Sequence, residues 1–596
     1  MVVTCTASMR VYVVTLLMIV VIIGPLLIMG VHADTPQIQF IHGVASGDVT
    51  SESAVLWAQT DQDGQLNVQV SKHPNFKKLD FEGSVHATAD SDFTAKSLAE
   101  GLKPDTLYYY RFTAGSTTSE IGTFRTSPLE DKKADVHFTW SGDTDVSKIN
   151  GNRYFGDWLS LNAIRSENPD FFIYLGDIIY SDLRATGILP DAQTLDQFRQ
   201  IYKDSRDVPA LHELLKSTSV FPAWDDHEVR NDWAGQTVDP TFFEIGKRSF
   251  SEYTPIGQLH STSDPDCAGP TQFRVKHWGK DVDLIILDTR TCRSANVQAQ
   301  CQGDIVPTLP SSIRALLPNP PIPPQPPAGC LAAINDPDRT MLGIEQKVRF
   351  KDALLNSNAK FKFVVTSVSI QQTFAFPYDS WEGYGAERSE ILNFIRDNEI
   401  KNVIFLTTDL HLNLMNEVFI DLFTDPTPIS YEVVTGPIGA ETDKARILRL
   451  LGPAGPFFVQ ARENILTLAG ADCRNLDSYS YGSTSFSRFS GTVTITLKDQ
   501  NGNTIHDDIN PSLECKKSFG PSDFPESTSQ VNSANKMNSN IEKLKELWKD
   551  LQGEKSSTAE GLLNLKTELS GLNTDPFAQK SFFVLPALER PNDDMR

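Results

Sequence analysis

Positive charge is scarce in this 596-residue sequence: 54 lysines and arginines face 76 aspartates and glutamates, a formal net charge of -22. Binding the backbone of a nucleic acid duplex needs a basic face that releases counterions, so this balance excludes such a partner. A small anionic ester is still allowed where bound cations reverse the field locally. There is no Cys-x-x-Cys pair, which makes a thiolate zinc site the weaker use of the seven cysteines. No Asn-x-Ser/Thr acceptor is usable, since Asn510 is followed by Pro511. Internal repeats are also missing.

What is present begins with Arg10, an apolar run from Val11 to Met29, and Val31-His32-Ala33, with small residues at alternate positions. Residues 1–33 read as a signal peptide cut after Ala33 or, because the run approaches spanning length, as an uncleaved signal anchor. Both readings put the bulk of the chain outside the cytosol, secreted or at the cell surface, with membrane contact only through that segment. Cys267, Cys292, Cys301, Cys330, Cys473 and Cys515 follow the leader. An even count in an exported chain allows up to three disulfides. Cys292 with Cys301, and Cys330 closing a proline-rich stretch, read as loop staples.

Residues 38–128 show short alternating strands broken by turns, including Ser53 to Trp57, Leu66 to Val70 and Leu107 to Phe112, as in a small β-sandwich. Gly101-Leu102-Lys103-Pro104-Asp105-Thr106-Leu107-Tyr108 resembles the corner before strand F of fibronectin type III modules. Over 134–515 the texture is α/β. Val136 to Ser141, Phe171 to Leu175, Leu284 to Leu287, Phe361 to Ser367 and Val403 to Thr407 are largely apolar runs suited to strands covered on both faces. Helical spacing appears from Phe155 to Ile164, Leu195 to Tyr202, Gly343 to Leu355 and Glu387 to Ile395. Residues 305–330 are so rich in proline that the expectation is a surface loop without helix. Residues 522–596 read as a polar linker and a helical tail with an apolar stripe at Ile541, Leu544, Leu547, Trp548 and Leu551.

Acidic residues recur just after the apolar strands. They stand in Ser141-Gly142-Asp143-Thr144-Asp145, Gly176-Asp177-Ile178-Ile179-Tyr180, Asp225-Asp226-His227-Glu228 and Asp409-Leu410-His411. Singly, each is an ordinary turn or cap. Together, carboxylates gathered at one end of a sheet repel unless cations lie between them. Two metals about 3.5–4 Å apart, sharing one carboxylate, meet that demand and clamp both oxygens of a phosphoryl transfer.

Gly176-Asp177-Ile178-Ile179-Tyr180, Trp224-Asp225-Asp226-His227-Glu228 and Asp379-Ser380-Trp381-Glu382-Gly383-Tyr384 before Arg388 resemble the PhoD-like alkaline phosphatase branch of the calcineurin-type metallophosphoesterases. The resemblance spans roughly residues 40–500 and includes Gly43 to Asp48 in the N-terminal module. It implies an α/β metallophosphoesterase sandwich of sheets flanked by helices, preceded by a fibronectin type III-like all-β domain. It also implies Asp177 as a bridging metal ligand, Tyr180 as a tyrosinate on Fe(III), and Asp226 and Asp409 on a second, oxygen-rich site suited to Ca2+. His411 would return to the first metal. Mn2+, Mg2+ and Zn2+ remain open. That branch commonly has a cysteine where this chain has Asp143, which supplies the carboxylate of the wider superfamily; Asp145 is the alternative.

By the same resemblance the reaction is hydrolysis of phosphate esters by metal-hydroxide attack, as in an alkaline phosphatase. His227 would contact phosphate or donate a proton, with Glu228 orienting it. Asn231 is a candidate phosphate contact. Arg290 binds phosphate or pairs internally with Asp288; Asp379 extends the site, and Trp381 and Tyr384 belong to core or rim. Two rivals stand beside this reading: a phosphodiesterase of phospholipase D type, and an inactive surface-binding protein on the same fold.

Overall fold

The computed structural model describes residues 37–314 and 323–520, together with 522, 524 and 542. The expected leader and the expected tail helix lie outside those residues.

Two large sheets meet face to face. One has nine strands, in the order Lys516–Phe519, Thr492–Asp499, Ser480–Ser487, Val136–Ser141, Phe171–Leu175, Ser219–Ala223, Phe40–Gly47, Ala54–Thr60 and Thr94–Ala99. The other has seven: Arg274–Trp278, Val282–Ile286, Phe361–Val365, Val403–Thr407, Asp425–Val434, Asn413–Asp421 and Ala471–Asn475. Side chains alternate across a strand, so an apolar run must be covered twice. Phe171, Ile173 and Leu175 accordingly pack between the sheets with Leu284, Ile286, Phe363 and Val365, while Phe172 and Tyr174 face helices that include Leu195–Arg206 and Pro209–Ser217. On the far side Ile285, Val364 and Phe405 pack under Ile344–Asn356 and Gly385–Asp397. Aromatic rings knit the inner layer, with Phe138 edge-on to Phe363 at 5.1 Å and Phe171 at 4.8 Å from Trp278. Each such buried side chain contributes about 1.5–3 kcal/mol.

The central strands of both sheets run parallel, so their carboxyl ends open onto one rim. That is where the acidic motifs fall.

The N-terminal strands form a five-stranded antiparallel sheet opposite Phe40–Gly47, Ala54–Thr60 and Thr94–Ala99. The Tyr108 hydroxyl accepts from the Lys103 backbone amide at 2.8 Å, fixing the corner read from the sequence. This module is not free-standing. Its inner strands extend the nine-stranded sheet through a parallel pairing of Gly47 with Val220, and Arg274 of the facing sheet reaches the buried Asp48 at 2.8 Å.

Three expectations are corrected. The disulfides are Cys267–Cys292, Cys301–Cys330 and Cys473–Cys515, so Cys292 and Cys301 are not a pair; each instead staples a longer excursion of 25 or 29 residues. The proline-rich segment does contain a helical turn, Ser311–Arg314, in a stretch without proline. Buried Arg314 anchors that turn to Asp304 at 2.6 Å and to the Pro323 carbonyl. The helix expected from Phe155 starts at Leu159, because Trp158 before it is left-handed with φ 55°.

Cys473–Cys515 closes 42 residues and joins the edge strand of the seven-stranded sheet to the residue before the edge strand of the other. Replacing both cysteines by serine is expected to cost about 2–4 kcal/mol. The readout is a lower thermal midpoint that no longer responds to reductant at that bridge.

Candidate metal centre

Four loops at the rim supply the site, and their backbones are unusual. Asp143, Asp177, Asp409 and His411 all adopt left-handed conformations, with φ of 60°, 48°, 69° and 56°. Aspartate tolerates this region better than most residues, yet each such position costs of order 1 kcal/mol and must be held by its surroundings. The holding is visible. A Cβ on Gly142 would lie 2.1 Å from the Leu175 carbonyl oxygen, so only glycine lets the first loop approach the second. Thr144 then donates its backbone amide to the Asp177 carbonyl at 2.9 Å. The Glu228 carboxylate accepts from the amides of Ile178 at 2.6 Å and Asp225 at 2.9 Å, tying the second loop to the third.

The side chains converge. Asp143, Asp177 and His411 present ligand atoms within 4.8 Å of one another, and so do Asp177, Asp226 and His227. Asp177 belongs to both groups. Tyr180 lies with the first, its hydroxyl 3.0 Å from His411 Nε2, and its ring stacks on His227 at 4.2 Å. A third group, Asp226, Asp232 and Asp379, adjoins the second. The surface set Glu120, His212 and Glu213 is remote from these motifs in sequence and is crossed by Lys216.

Both oxygens of Asp143, one of Asp226 and one of Asp225 are buried without a hydrogen-bond partner among the described protein groups. Unpaired buried carboxylate oxygens are costly, and cations are what such a donor set fits. The titration shifts agree. Burial, then the charge of Asp225, pushes Asp143 well above the usual carboxylate range. Burial also raises Asp177, with Asp226 and Asp225 adding to it, and Asp409. Asp226 is the exception: burial works to raise it, but Arg290 and His227 hold it low. Tyr180 is pushed up by burial and by Asp177 and Asp143.

The two histidines differ. His411 Nδ1 faces the Glu441 carbonyl oxygen, which can only accept, so Nδ1 carries the hydrogen and Nε2 keeps a lone pair toward Tyr180 and Asp143. Burial drives its pKa down and keeps it neutral. His227 donates from Nδ1 to Asp182 at 2.6 Å; against the effect of burial, Asp177, Asp226 and Asp182 raise its pKa.

Several expected residues stand elsewhere in the arrangement. Arg290 is wholly buried and is no open phosphate contact. It pairs with Asp225 at 2.6 Å and, through both terminal nitrogens, with Asp379, while Asp288 accepts only its backbone amide. Glu228 does not orient His227; Asp182 does, because both Glu228 oxygens are taken by backbone amides. Asn231 is exposed at the rim, with its amide on Asp182. Asp409 joins none of the three-residue groups among the described residues, although Asp225, Asp379 and Asp226 bear on it electrostatically. Asp145 accepts from the amides of Ser147 and Ala185 and joins none of the three-residue groups among the described residues, which leaves Asp143 as the carboxylate of the first loop. Trp381 and Tyr384 are core residues. Asp182 and Asp232 were not singled out by the sequence reading; the only local sign was an acid two residues beyond Tyr180.

The sequence and the fold have known relatives. Residues 147–486 match the model of the PhoD-like phosphatase family, and residues 28–128 match that of its N-terminal domain. Alkaline phosphatase D of Bacillus subtilis (strain 168) is 26% identical over 425 residues, covering 64% of this chain and 66% of that protein, just under two thirds of its length. The solved structure of PhoD aligns over 84% of this chain and 97% of its own, with a TM-score of 0.62 and 20% identity, a likeness of fold. With a family match that runs through more than half of its length and takes in every rim loop but the one carrying Asp143, the chain belongs to the PhoD-like phosphatases.

Proposed function

We propose that this chain is an exported phosphoesterase, an alkaline phosphatase-like enzyme that hydrolyses phosphate esters with two or more bound metal ions. One observation carries the reading: Asp177 is shared by two adjoining sets of buried ligand atoms. A shared carboxylate is what a two-metal site requires. Asp143, Asp177, His411 and Tyr180 would hold one ion; Asp177 and Asp226, with Asp409 from the rim, would hold the other. The phenolate and carboxylates favour Fe(III) in the first place and Ca2+ in the second, with Mn2+, Mg2+ and Zn2+ as alternatives. Three disulfides support an oxidising compartment outside the cytosol.

Bound ions would supply Lewis acidity toward the phosphoryl oxygens and acidify water at neutral pH. The rest is the work of this chain's own groups. His227, fixed by Asp182, presents Nε2 on the side of Asp177, at 3.9 Å, where it can hold a phosphate oxygen or, when protonated, give a proton to the departing alkoxide. Glu228 keeps the Asp177 and Asp226 loops in register. Arg290 neutralises Asp225 and Asp379 so that the surplus charge falls on the ligand atoms.

The deciding experiment is metal analysis of the purified protein, with assays on nitrophenyl phosphate and bis-nitrophenyl phosphate. At least two metal equivalents and turnover of the monoester are expected. Asp177→Asn should lose both metals and lower kcat/KM by at least about a thousandfold, that is ~4 kcal/mol. Full activity after exhaustive chelation would sink the reading, and exclusive diester turnover would move it to the phosphodiesterase class. A tyrosinate-to-iron absorption band is expected in the visible; an active, colourless, iron-free enzyme removes Fe(III) from Tyr180.

Asp182→Asn should keep its metals and lose about 10–100-fold in kcat, since it orients His227 and holds the Asn231 amide without joining a ligand group. A variant that loses metal as well would place Asp182 among the ligands.

Chelation links to pH with a definite sign. In metal-free protein the raised Asp143, Asp177 and Asp409 bind protons more tightly folded than unfolded. Their contribution is complete below the unfolded value of about 3.8 and is lost as pH rises through the folded values. Bound cations replace those protons. The gap in thermal midpoint between metal-loaded and chelated protein should therefore widen as pH rises from about 4 toward neutrality.

A further inference from the structure

Arg206 is a buried cation with no carboxylate within ion-pair distance among the described residues. Arg206 ends the helix Leu195–Arg206 and is 4% exposed. Its Nη2 donates to the Tyr253 carbonyl oxygen, and its guanidinium carbon lies 3.5 Å from the centroid of the Trp57 ring. Arg290, Arg293 and Arg314 are equally buried, and each holds a carboxylate at 2.5–2.6 Å. Arg388 is met instead by the carbonyl oxygens of Ile370, Phe419 and Ile420. Around Arg206 no carboxylate of the described residues comes within ion-pair distance; the ionisable groups acting on it are the tyrosines 253, 110, 174 and 202. Burial pulls its pKa down to about 9. Glu228 lies in the same region, but both of its oxygens are bound by the amides of Ile178 and Asp225.

Beside the guanidinium is a cavity of about 20 Å³, walled by Arg206, Tyr202, Tyr174 and Ser205 with apolar Leu215 and Val220. Tyr202 is 2% exposed, and its hydroxyl has no hydrogen-bond partner among the described protein groups. The volume admits one or two water-sized particles and is too small for sulfate or phosphate. Water could satisfy the hydroxyl but cannot neutralise the charge.

We propose that this cavity is a binding site for a monatomic anion of the halide class, chloride in practice, held between the Arg206 guanidinium and the Tyr202 hydroxyl. A cation taken out of water needs a counter-charge or a set of carbonyl oxygens, of which Arg206 meets one, and a large, weakly hydrated halide tolerates apolar walls. The site touches the rim indirectly. Tyr174 shares a 2.5 Å hydrogen bond with the Thr144 hydroxyl, which also reaches the carbonyl oxygens of Asp177 and Ile178. Halide occupancy therefore steadies the wall on which the Asp177 loop rests. None of this depends on which metals or esters the protein takes.

The test uses the full-length protein. Exchange from sodium gluconate into sodium chloride or bromide at constant ionic strength should raise the thermal midpoint saturably. Crystals grown in bromide should show an anomalous peak between Arg206 and Tyr202. Tyr202→Phe should fold normally and raise the halide midpoint about tenfold or more. A thermal midpoint that ignores halide together with crystals lacking bromide at this position overturns the proposal. So does a halide response that Tyr202→Phe leaves unchanged. If that variant fails to fold, the bromide map of the unaltered protein decides.

Discussion

Mutual repulsion among buried carboxylates is the constraint around which this molecule is arranged. Asp143, Asp177, Asp225 and Asp226 are each at most 3% exposed and lie on neighbouring loops. Among the described residues the opposing charges on them include His227, Arg290 and, toward Asp143, Arg446. Left to itself, such a set retains protons. The internal remedies are partial: Arg290 links Asp225 with Asp379 and bears on Asp226, and Arg293 pairs with Asp379. Both oxygens of Asp143 and one each of Asp225 and Asp226 are left without a hydrogen-bond partner among the described protein groups. An interior tuned only for stability would not leave them so.

Scaffold and site are therefore one problem. Two sheets covered on both faces give stiff parallel strands whose ends share a rim, and the left-handed residues at those ends turn the acids inward. Glycine at 142 lets the first and second loops touch, Thr144 bridges that same pair, and Glu228 bolts the second loop to the third. Oxygens that hold loops and oxygens left without a partner come from neighbouring residues, as Glu228 and Asp226 show two positions apart.

What the sequence made legible follows from locality. An apolar strand ending in an acid is a pattern within ten residues, so Asp143, Asp177, Asp226 and His411 could be named, and the strands Val136–Ser141, Phe171–Leu175 and Val403–Thr407 were read to the residue. What depends on distant partners was not. Asp182 looks like any loop acid until His227, 45 residues later, lands on it. Arg290 sits two residues from Asp288 and invites that pairing, but the fold delivers Asp379 from 89 residues away. Cysteine pairing failed for the same reason: nearness in sequence favoured Cys292 with Cys301, and chain geometry chose otherwise. The merging of the N-terminal module with the main sheet rests on the pairing of Gly47 with Val220, too slight to leave a mark in composition.

The lacing of the two sheets bears on how the site can move. One side is closed covalently by Cys473–Cys515, and the other by Arg274 gripping Asp48 and the Pro222 carbonyl. Asp143, Asp177 and Asp226 hang from the nine-stranded sheet, whereas Asp409 and His411 hang from the seven-stranded one. Sliding of one sheet over the other is the motion that would pull these two sets apart, and a covalent link on one margin and a buried ion pair on the other both oppose it. The gap between the two sets of side chains is thus the dimension that these distant links hold constant.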